Sequence, residues 1–207
     1  MNPYILTLDE KEIISELKNS KLSSEEMWEH SSIKKLKSNI KKHYLKEQGN
    51  KCAYCQVWNP STHGMVWDTE HIIDKDSSIE WIFETQNLCV SCKDCNQAKG
   101  VKKVTKSDSY ISFPSKSNNY SIIHAHFDQY DKHIQVLAPG VTYRFHDKKG
   151  EKTIEVCGLL RYHQVGGRQN VDPQTQAILR YAADLQTPEA FALAIEHIKS
   201  RSQERIK

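Results

Sequence analysis

Two pairs of cysteines with the spacing C-x2-C constrain this chain more than any other feature of its sequence. Cys52 and Cys55 form the first pair and Cys92 and Cys95 form the second, with residues 56–91 between them. Each pair offers two thiolates at neighbouring corners of a tetrahedron, which is how proteins commonly hold structural zinc. The spacing therefore predicts a four-cysteine zinc site that replaces part of a hydrophobic core in this segment.

The sequence leaves one alternative for the zinc ligands, because Cys89 and Cys92 are also spaced as C-x2-C. We favour the pair Cys92 and Cys95, and we expect Cys89 to be a buried thiol on a short strand. Cys157 lies in a distant strand-like run, where a position in the core is the simpler interpretation.

The composition favours a cytoplasmic protein whose thiols bind metal. The chain of 207 residues is 38% hydrophobic and 27% charged, and no apolar stretch approaches the roughly 20 residues that cross a bilayer. The first residues also lack the basic and apolar segments of a secretion signal. We therefore expect a cytoplasmic location and no membrane association, and reduced thiols rather than a disulfide framework.

Hydrophobic periodicity and turn signals predict an α+β fold in three parts. Residues 1–48 form an N-terminal helical region, residues 49–105 form the zinc-stapled core, and residues 106–207 form a C-terminal α+β extension. The extension begins with a linker rich in Ser and Asn, continues with a small antiparallel sheet, and ends in helices. The candidate strands of this sheet are 134–137, 141–145 and 153–156.

The zinc-stapled core is predicted to be a β-hairpin followed by a helix. Residues 66–73 and 87–90 have extended character, and the chain from Cys92 to about Lys103 is predicted to be helical. A further helix over residues 32–48 leads into the core, because apolar residues recur there every three or four positions.

A set of polar residues is interlocked with the two cysteine pairs. It comprises Asp68-Thr69-Glu70-His71, then Asn87-Leu88, then Cys95-Asn96-Gln97-Ala98-Lys99-Gly100. In this order the set resembles the His-Asn-His (HNH) endonuclease family, in the branch whose ββα-metal core lies between two zinc knuckles. The resemblance covers about residues 42–103.

The resemblance implies a role for each matched residue. His71 corresponds to the general base that takes a proton from the attacking water, Glu70 to the ligand of a catalytic cation, and Asn87 to the asparagine that braces the loop and orients the histidine. Asn96 replaces the family's usual last histidine, and its amide oxygen suits Mg²⁺ or Mn²⁺. Asp68 is a reserve ligand. The implied reaction is one-metal hydrolysis of a phosphodiester bond that leaves 5′-phosphate and 3′-hydroxyl ends.

Lysines flank the core on both sides and predict a surface that binds nucleic acid. The net charge is only +3, but residues 33–46 contain six lysines and no acidic residue. Lys99 shares a helical face with Asn96, and we expect it to contact a phosphate. A solvated lysine face is the alternative interpretation. The candidate nucleic-acid-binding residues are Lys41, Lys42, Lys99, Lys102 and Lys103.

The sequence thus predicts a DNA endonuclease with a structural zinc ion and a catalytic Mg²⁺ or Mn²⁺, and RNA is the less favoured substrate. Compact HNH chains with added helices and strands resemble effectors of bacterial anti-phage defence, which implies a sensor or ATPase protein as partner. The alternative from another class is a catalytically silent zinc module that binds nucleic acid or protein. The presence of both His71 and Asn87 favours the enzyme.

Overall fold

A computed structural model describes residues 1–61, 66–107, 109–161, 173–185 and 187–204 of the chain. The chain divides into two compact units, Met1–Leu160 and Arg161–Lys207, which are described separately below. Both predicted boundaries, after residue 48 and after residue 105, fall inside the first unit.

Three helices form the N-terminal part: α1 (Leu8–Lys18), α2 (Ser24–Glu29) and α3 (Lys34–Glu47). Capping boxes begin α1 and α2, because Thr7 and Ser23 each accept a backbone N–H and the glutamate three residues later bonds back. The predicted helix before the core is confirmed, and its apolar side is buried. The buried residues of α3 are Leu36, Ile40, Tyr44 and Leu45.

The predicted hairpin and helix follow. Strands β1 (Trp67–His71) and β2 (Leu88–Cys92) pair in antiparallel fashion, with Trp67 opposite Cys92 and His71 opposite Leu88. Helix α4 (Lys93–Lys99) begins directly after β2. The helix is shorter than predicted, because Gly100 ends it with a φ of 48°, a left-handed conformation that favours glycine.

Helix α3 is joined to this hairpin by hydrogen bonds as well as by packing. The Gln48 side chain accepts from the Val90 N–H at 2.8 Å and donates to the Val90 carbonyl at 2.7 Å, so it satisfies the backbone groups of β2 at that residue. The Tyr44 hydroxyl donates to the Thr85 carbonyl at 2.6 Å. The lysine-bearing helix is therefore held beside the hairpin.

The C-terminal part of the first unit contains strands β3 (Ile134–Ala138) and β4 (Thr142–Phe145), an antiparallel pair, and then helix α5 (Lys148–Val156). The expectation of a third strand at 153–156 is wrong, because this segment is the end of α5. Asp147 caps the helix by accepting the Gly150 N–H at 2.9 Å, so the sequence DKKG initiates a helix instead of a turn between strands.

Residues after 103 contribute to the core of the first unit. Val104, Tyr120 and Ile122 are buried in the same cluster as the N-terminal helices and the hairpin. The Tyr130 hydroxyl donates to the Tyr54 carbonyl at 2.6 Å, and the Tyr143 hydroxyl donates to the Cys55 carbonyl at 2.7 Å. The part of the predicted extension that belongs to the first unit thus packs directly on the cysteine-rich segment.

The second unit contains the helices expected at the end of the chain, α6 (Pro173–Leu185) and α7 (Pro188–Glu204). Ala182, Ala190 and Ala194 form its small core. Within the parts of the chain that the structure describes, no helix is long and apolar enough to cross a membrane.

Candidate active site

The structure brings together the four cysteines predicted to bind zinc. The Sγ atoms of Cys52, Cys55, Cys92 and Cys95 all lie within 4.8 Å of one another, and those of Cys55 and Cys92 are 3.8 Å apart. Tetrahedral Zn–S bonds of about 2.3 Å place neighbouring sulfurs about 3.8 Å apart. The four cysteines can therefore hold a structural zinc ion.

The two remaining cysteines lie outside this group. Cys89 is fully buried on β2, opposite Glu70 in the strand register, and Cys157 is also fully buried. Burial raises the pKa of the Cys89 thiol well above its usual value and raises the pKa of Cys157 as well. Both are therefore neutral core thiols.

The environment of the four cysteines requires a cation if all four are to be thiolates. Burial raises the pKa of the Cys52 thiol well above its usual value, whereas hydrogen bonds with the thiols of Cys52 and Cys55 lower the pKa of Cys92. Four thiolates packed this closely would repel one another, and a bound divalent metal ion would remove that repulsion.

A cleft of about 1210 Å³ lies between α3 and the hairpin with α4. One wall consists of lysines and the other carries the polar residues of the predicted site. The lysine wall comprises Lys37, Lys41, Lys42 and Lys46. The opposite wall includes Asp68, Glu70, His71, Asn96 and Lys99.

The imidazole of His71 has a defined tautomer in this cleft. Its Nε2 lies 3.0 Å from the Ile82 carbonyl oxygen, which can only accept, so Nε2 carries the proton and Nδ1 keeps the lone pair. The ring packs edge-on against Trp28, with 4.4 Å between the ring centroids. Burial lowers the pKa of His71 to about 4, so the imidazole is neutral at pH 7.

Asn87 braces the loop that leads from His71 to Ile82. Its Oδ1 accepts the Ile73 N–H at 2.8 Å, and its Nδ2 donates to the carbonyls of Ile73 at 3.0 Å and Trp81 at 3.2 Å. The side chain thus fixes both ends of the loop that supplies the Ile82 carbonyl to the histidine.

Glu70 and Lys99 form a buried ion pair, with 2.7 Å between Oε1 and Nζ. Lys99 also donates to the His71 carbonyl at 2.9 Å, and the Tyr54 hydroxyl donates to the Glu70 carboxylate at 3.2 Å. Burial raises the pKa of Glu70, although the attraction of Lys99 opposes this rise. The carboxylate expected to bind a cation is therefore already compensated by a lysine.

The structure places Lys99, which we expected to contact a phosphate because it shares a helical face with Asn96, in the interior. Lys99 is only 1% exposed, because α4 turns the face that carries Cys95 and Lys99 towards the interior. The spacing of three residues between Asn96 and Lys99 did place both on the side facing β1, but that side is packed against the strand.

Asn96 is hydrogen-bonded to Asp68, the residue that the sequence analysis named as a second-choice ligand for the catalytic cation. Asn96 Nδ2 donates to Asp68 Oδ2 at 2.9 Å, while Asp68 Oδ1 lies 3.0 Å from the Lys93 amino group. The Asp68 side chain is 26% exposed, in contrast to that of Glu70. A carboxylate and an amide oxygen fit Mg²⁺, which is usually bound through one or two carboxylates and keeps several waters.

The predicted nucleic-acid-binding lysines separate into three environments. Lys41 and Lys42 line the cleft, where Lys41 is half-buried and donates to the Trp67 carbonyl. Lys99 is buried in its ion pair. Lys102 and Lys103 are exposed and line a second cavity of about 510 Å³.

Two aromatic residues contribute to the site without having been predicted from the sequence. Tyr54 lies between the cysteines of the first pair, a position that could have drawn attention to it. Trp28 comes from α2, far from the motif, and no local signal connects it to His71. The loop after His71 is also tied to the N-terminal helices, because Lys18 donates to the Glu80 carbonyl at 2.9 Å.

Comparison with known proteins shows a similarity that covers part of the chain. The chain is 28% identical over 120 residues to the Septu protein PtuB of Bacillus thuringiensis. The match covers 58% of this chain and 40% of that protein, so the chain spans less than half of the relative's length. No protein-family model and no solved structure matches the chain.

Proposed function

We propose that this protein is a metal-dependent HNH-type endonuclease that hydrolyses phosphodiester bonds in DNA. The observation that carries the proposal is the state of His71, a neutral imidazole whose Nε2–H is fixed by a carbonyl and whose Nδ1 keeps its lone pair. This base lies in one cleft with Asp68, Asn96 and the lysines of α3. Such a cleft combines a proton acceptor with groups that bind phosphate and a hard cation.

In the proposed reaction, His71 Nδ1 accepts the proton of the attacking water, and Asn87 keeps the imidazole in position by holding the loop. Lysines on the opposite wall attract the phosphodiester backbone. Asp68 and Asn96 would hold the divalent cation, which when bound would stabilise the negative charge that develops on the phosphate and the leaving oxygen. We assign Glu70, the ligand implied by the family resemblance, to the ion pair with Lys99.

We further propose that the protein is a cytoplasmic effector of a bacterial anti-phage defence system, controlled by a sensor or ATPase protein. The similarity to a Septu protein supports this part of the proposal. The support comes from one shared region of 120 residues, which is 40% of that relative.

One observation favours the competing function of a silent zinc module that binds nucleic acid or protein. The Glu70 carboxylate, which the family resemblance assigns to a cation, is paired with Lys99 in the interior. A module of this kind would keep the zinc site and the lysine wall but would not cleave.

Cleavage assays with matched histidine variants distinguish the two functions. Purified protein is incubated with supercoiled plasmid and with single-stranded DNA in Mg²⁺ or Mn²⁺, alongside His71→Ala and His146→Ala. His146 is exposed and is not among the residues that line the cleft, so its variant should cleave like the wild type. Loss of a general base should reduce the rate by about 10²- to 10⁴-fold. Equal cleavage by all three proteins would identify the activity as a contaminant and favour the zinc module.

A further inference from the structure

Tyr54 connects the first cysteine pair to the strand that carries His71. It lies between Cys52 and Cys55, and its side chain is 1% exposed. Its carbonyl accepts from the Tyr130 hydroxyl at 2.6 Å, and its own hydroxyl donates to Glu70 Oε1 at 3.2 Å. The backbone of Tyr54 is therefore held by Tyr130, and its side-chain hydroxyl is bonded to β1.

Lys99, on the helix that carries Cys95, contacts the same carboxylate oxygen of Glu70. Lys99 follows Cys95 by four residues on α4, so the two side chains share a helical face. Its amino group lies 2.7 Å from Glu70 Oε1 and 2.9 Å from the His71 carbonyl. Tyr54, within the first cysteine pair, and Lys99, four residues after the second, thus both contact Glu70, and Lys99 also bonds the His71 carbonyl.

The contact between Lys99 and Glu70 is strong because it is buried and charged, and the Tyr54 hydroxyl adds a longer hydrogen bond to the same oxygen. Hydrogen bonds to an ionised group are about twice as strong as neutral ones, and the low dielectric of the interior strengthens them further. Glu70 and His71 are adjacent residues of β1, so a shift of the carboxylate would move the histidine backbone with it. Removal of the Tyr54 hydroxyl would take from Glu70 Oε1 one of its hydrogen-bond donors.

We propose that Tyr54 is a positioning residue that transmits the geometry of the two cysteine pairs to His71 through Glu70 and Lys99. Its consequence for catalysis rests on the proposed endonuclease function, but its consequence for the position of His71 does not. Displacement of a catalytic group by about 1 Å costs on the order of 10²-fold in rate. Loss of the Tyr54 hydroxyl should therefore slow cleavage without removing zinc.

Tyr54→Phe tests this proposal, with Tyr143→Phe as its matched control. The Tyr143 hydroxyl is also buried, donates to the Cys55 carbonyl at 2.7 Å and accepts the Gly140 N–H at 2.6 Å, so this variant removes a buried hydroxyl that is bonded to the backbone of the same cysteine segment. Zinc content is measured by elemental analysis, and the imidazole nitrogens of His71 are followed by NMR in protein labelled with ¹⁵N-histidine. Plasmid cleavage is measured for kcat and KM separately.

We expect both variants to retain zinc, while only Tyr54→Phe shifts the His71 nitrogen signals and lowers kcat by about 10- to 100-fold with little change in KM. Identical His71 signals in the two variants would overturn the proposal. A shift of those signals in a protein that never cleaves DNA would support it and refute the endonuclease function instead. If Tyr54→Phe does not fold, Glu70→Gln alters the other partner of the same hydrogen bond. Unchanged His71 signals in folded Glu70→Gln would overturn the proposal.

Discussion

Lys99→Met is expected to lower the free energy of unfolding by about 3–5 kcal/mol, because it leaves the Glu70 carboxylate buried without its counter-charge. The two charged atoms are 2.7 Å apart, and the side chains of Lys99 and Glu70 are 2% and 4% exposed. Water therefore cannot solvate the remaining carboxylate unless the packing opens. Domains of this size lose about 2–4 °C of Tm per kcal/mol, so the Tm should fall by about 6–20 °C.

Removing both charges should cost much less than removing one. In the double variant Glu70→Gln with Lys99→Met, no buried charge remains, and the introduced amide, similar in shape to the carboxylate, can still accept from the Tyr54 hydroxyl. Replacement of a buried ion pair by uncharged groups of similar volume is often neutral or stabilising. The double variant should therefore recover most of the stability that Lys99→Met loses.

Urea unfolding in saturating zinc measures these differences, since zinc binding otherwise contributes to the apparent stability. Lys93→Met is the matched control. Its amino group lies 3.0 Å from Asp68, but the side chain is 54% exposed, so its loss should cost only about 0–1 kcal/mol.

The reasoning is refuted if Lys99→Met loses no more stability than Lys93→Met. Lys99 would then be in contact with solvent. A weaker salt dependence of DNA binding in Lys99→Met would show, in addition, that this lysine contacts a phosphate, as the helical spacing alone suggested.

Three further outcomes are expected. Cys95→Ser should lose zinc in elemental analysis and Cys89→Ser should retain it, whereas the reverse would refute the ligand set. Replacing the exposed cleft residues Lys42 and Lys46 by Gln should weaken the salt dependence of duplex DNA binding, measured by fluorescence anisotropy. The slope of log affinity against log salt concentration should fall by about 0.9 for each lost phosphate contact. An unchanged slope would show that these two lysines do not contact the DNA. The folded pKa of His71, about 4, is below its usual 6.5, so the stabilisation from its neutral form is complete above pH 6.5 and is lost as the pH falls to about 4. This loss amounts to about 3 kcal/mol in denaturation curves recorded between these pH values. His71→Gln should show a smaller loss, and an equal loss would contradict the assignment.

Local patterns were sufficient to predict which four cysteines come together and the elements next to them. The two C-x2-C pairs identified the cysteines that the structure brings together, because two ligands so close in sequence must approach the same ion. Apolar residues at helical spacing predicted α3, and the short extended segments predicted the pairing of β1 with β2. In each case the signal lies within one element and its immediate neighbours.

The error at residues 153–156 shows where a local pattern is ambiguous. Thr153, Ile154 and Val156 are β-branched and favour a strand, but Asp147 caps a helix that includes them. Gly150 lies in the first turn of that helix, where an added Cβ would lie only 2.1 Å from the His133 carbonyl. Packing against a distant residue, together with the cap, decides the conformation there.

The sequence by itself determined which residue types the site contains, namely His71, Asn87, the carboxylates and the lysines that accompany them. Only the tertiary structure decided how they are paired. Lys99 is placed against Glu70 because α4 packs on β1, and Trp28 is placed against the His71 ring because α2 folds over the loop. The tautomer of His71 depends on the Ile82 carbonyl, eleven residues further along the chain. Spacing within one element fixes which side chains share a face, but contacts between elements determine which of those faces is buried, and burial sets the charge that each group can carry.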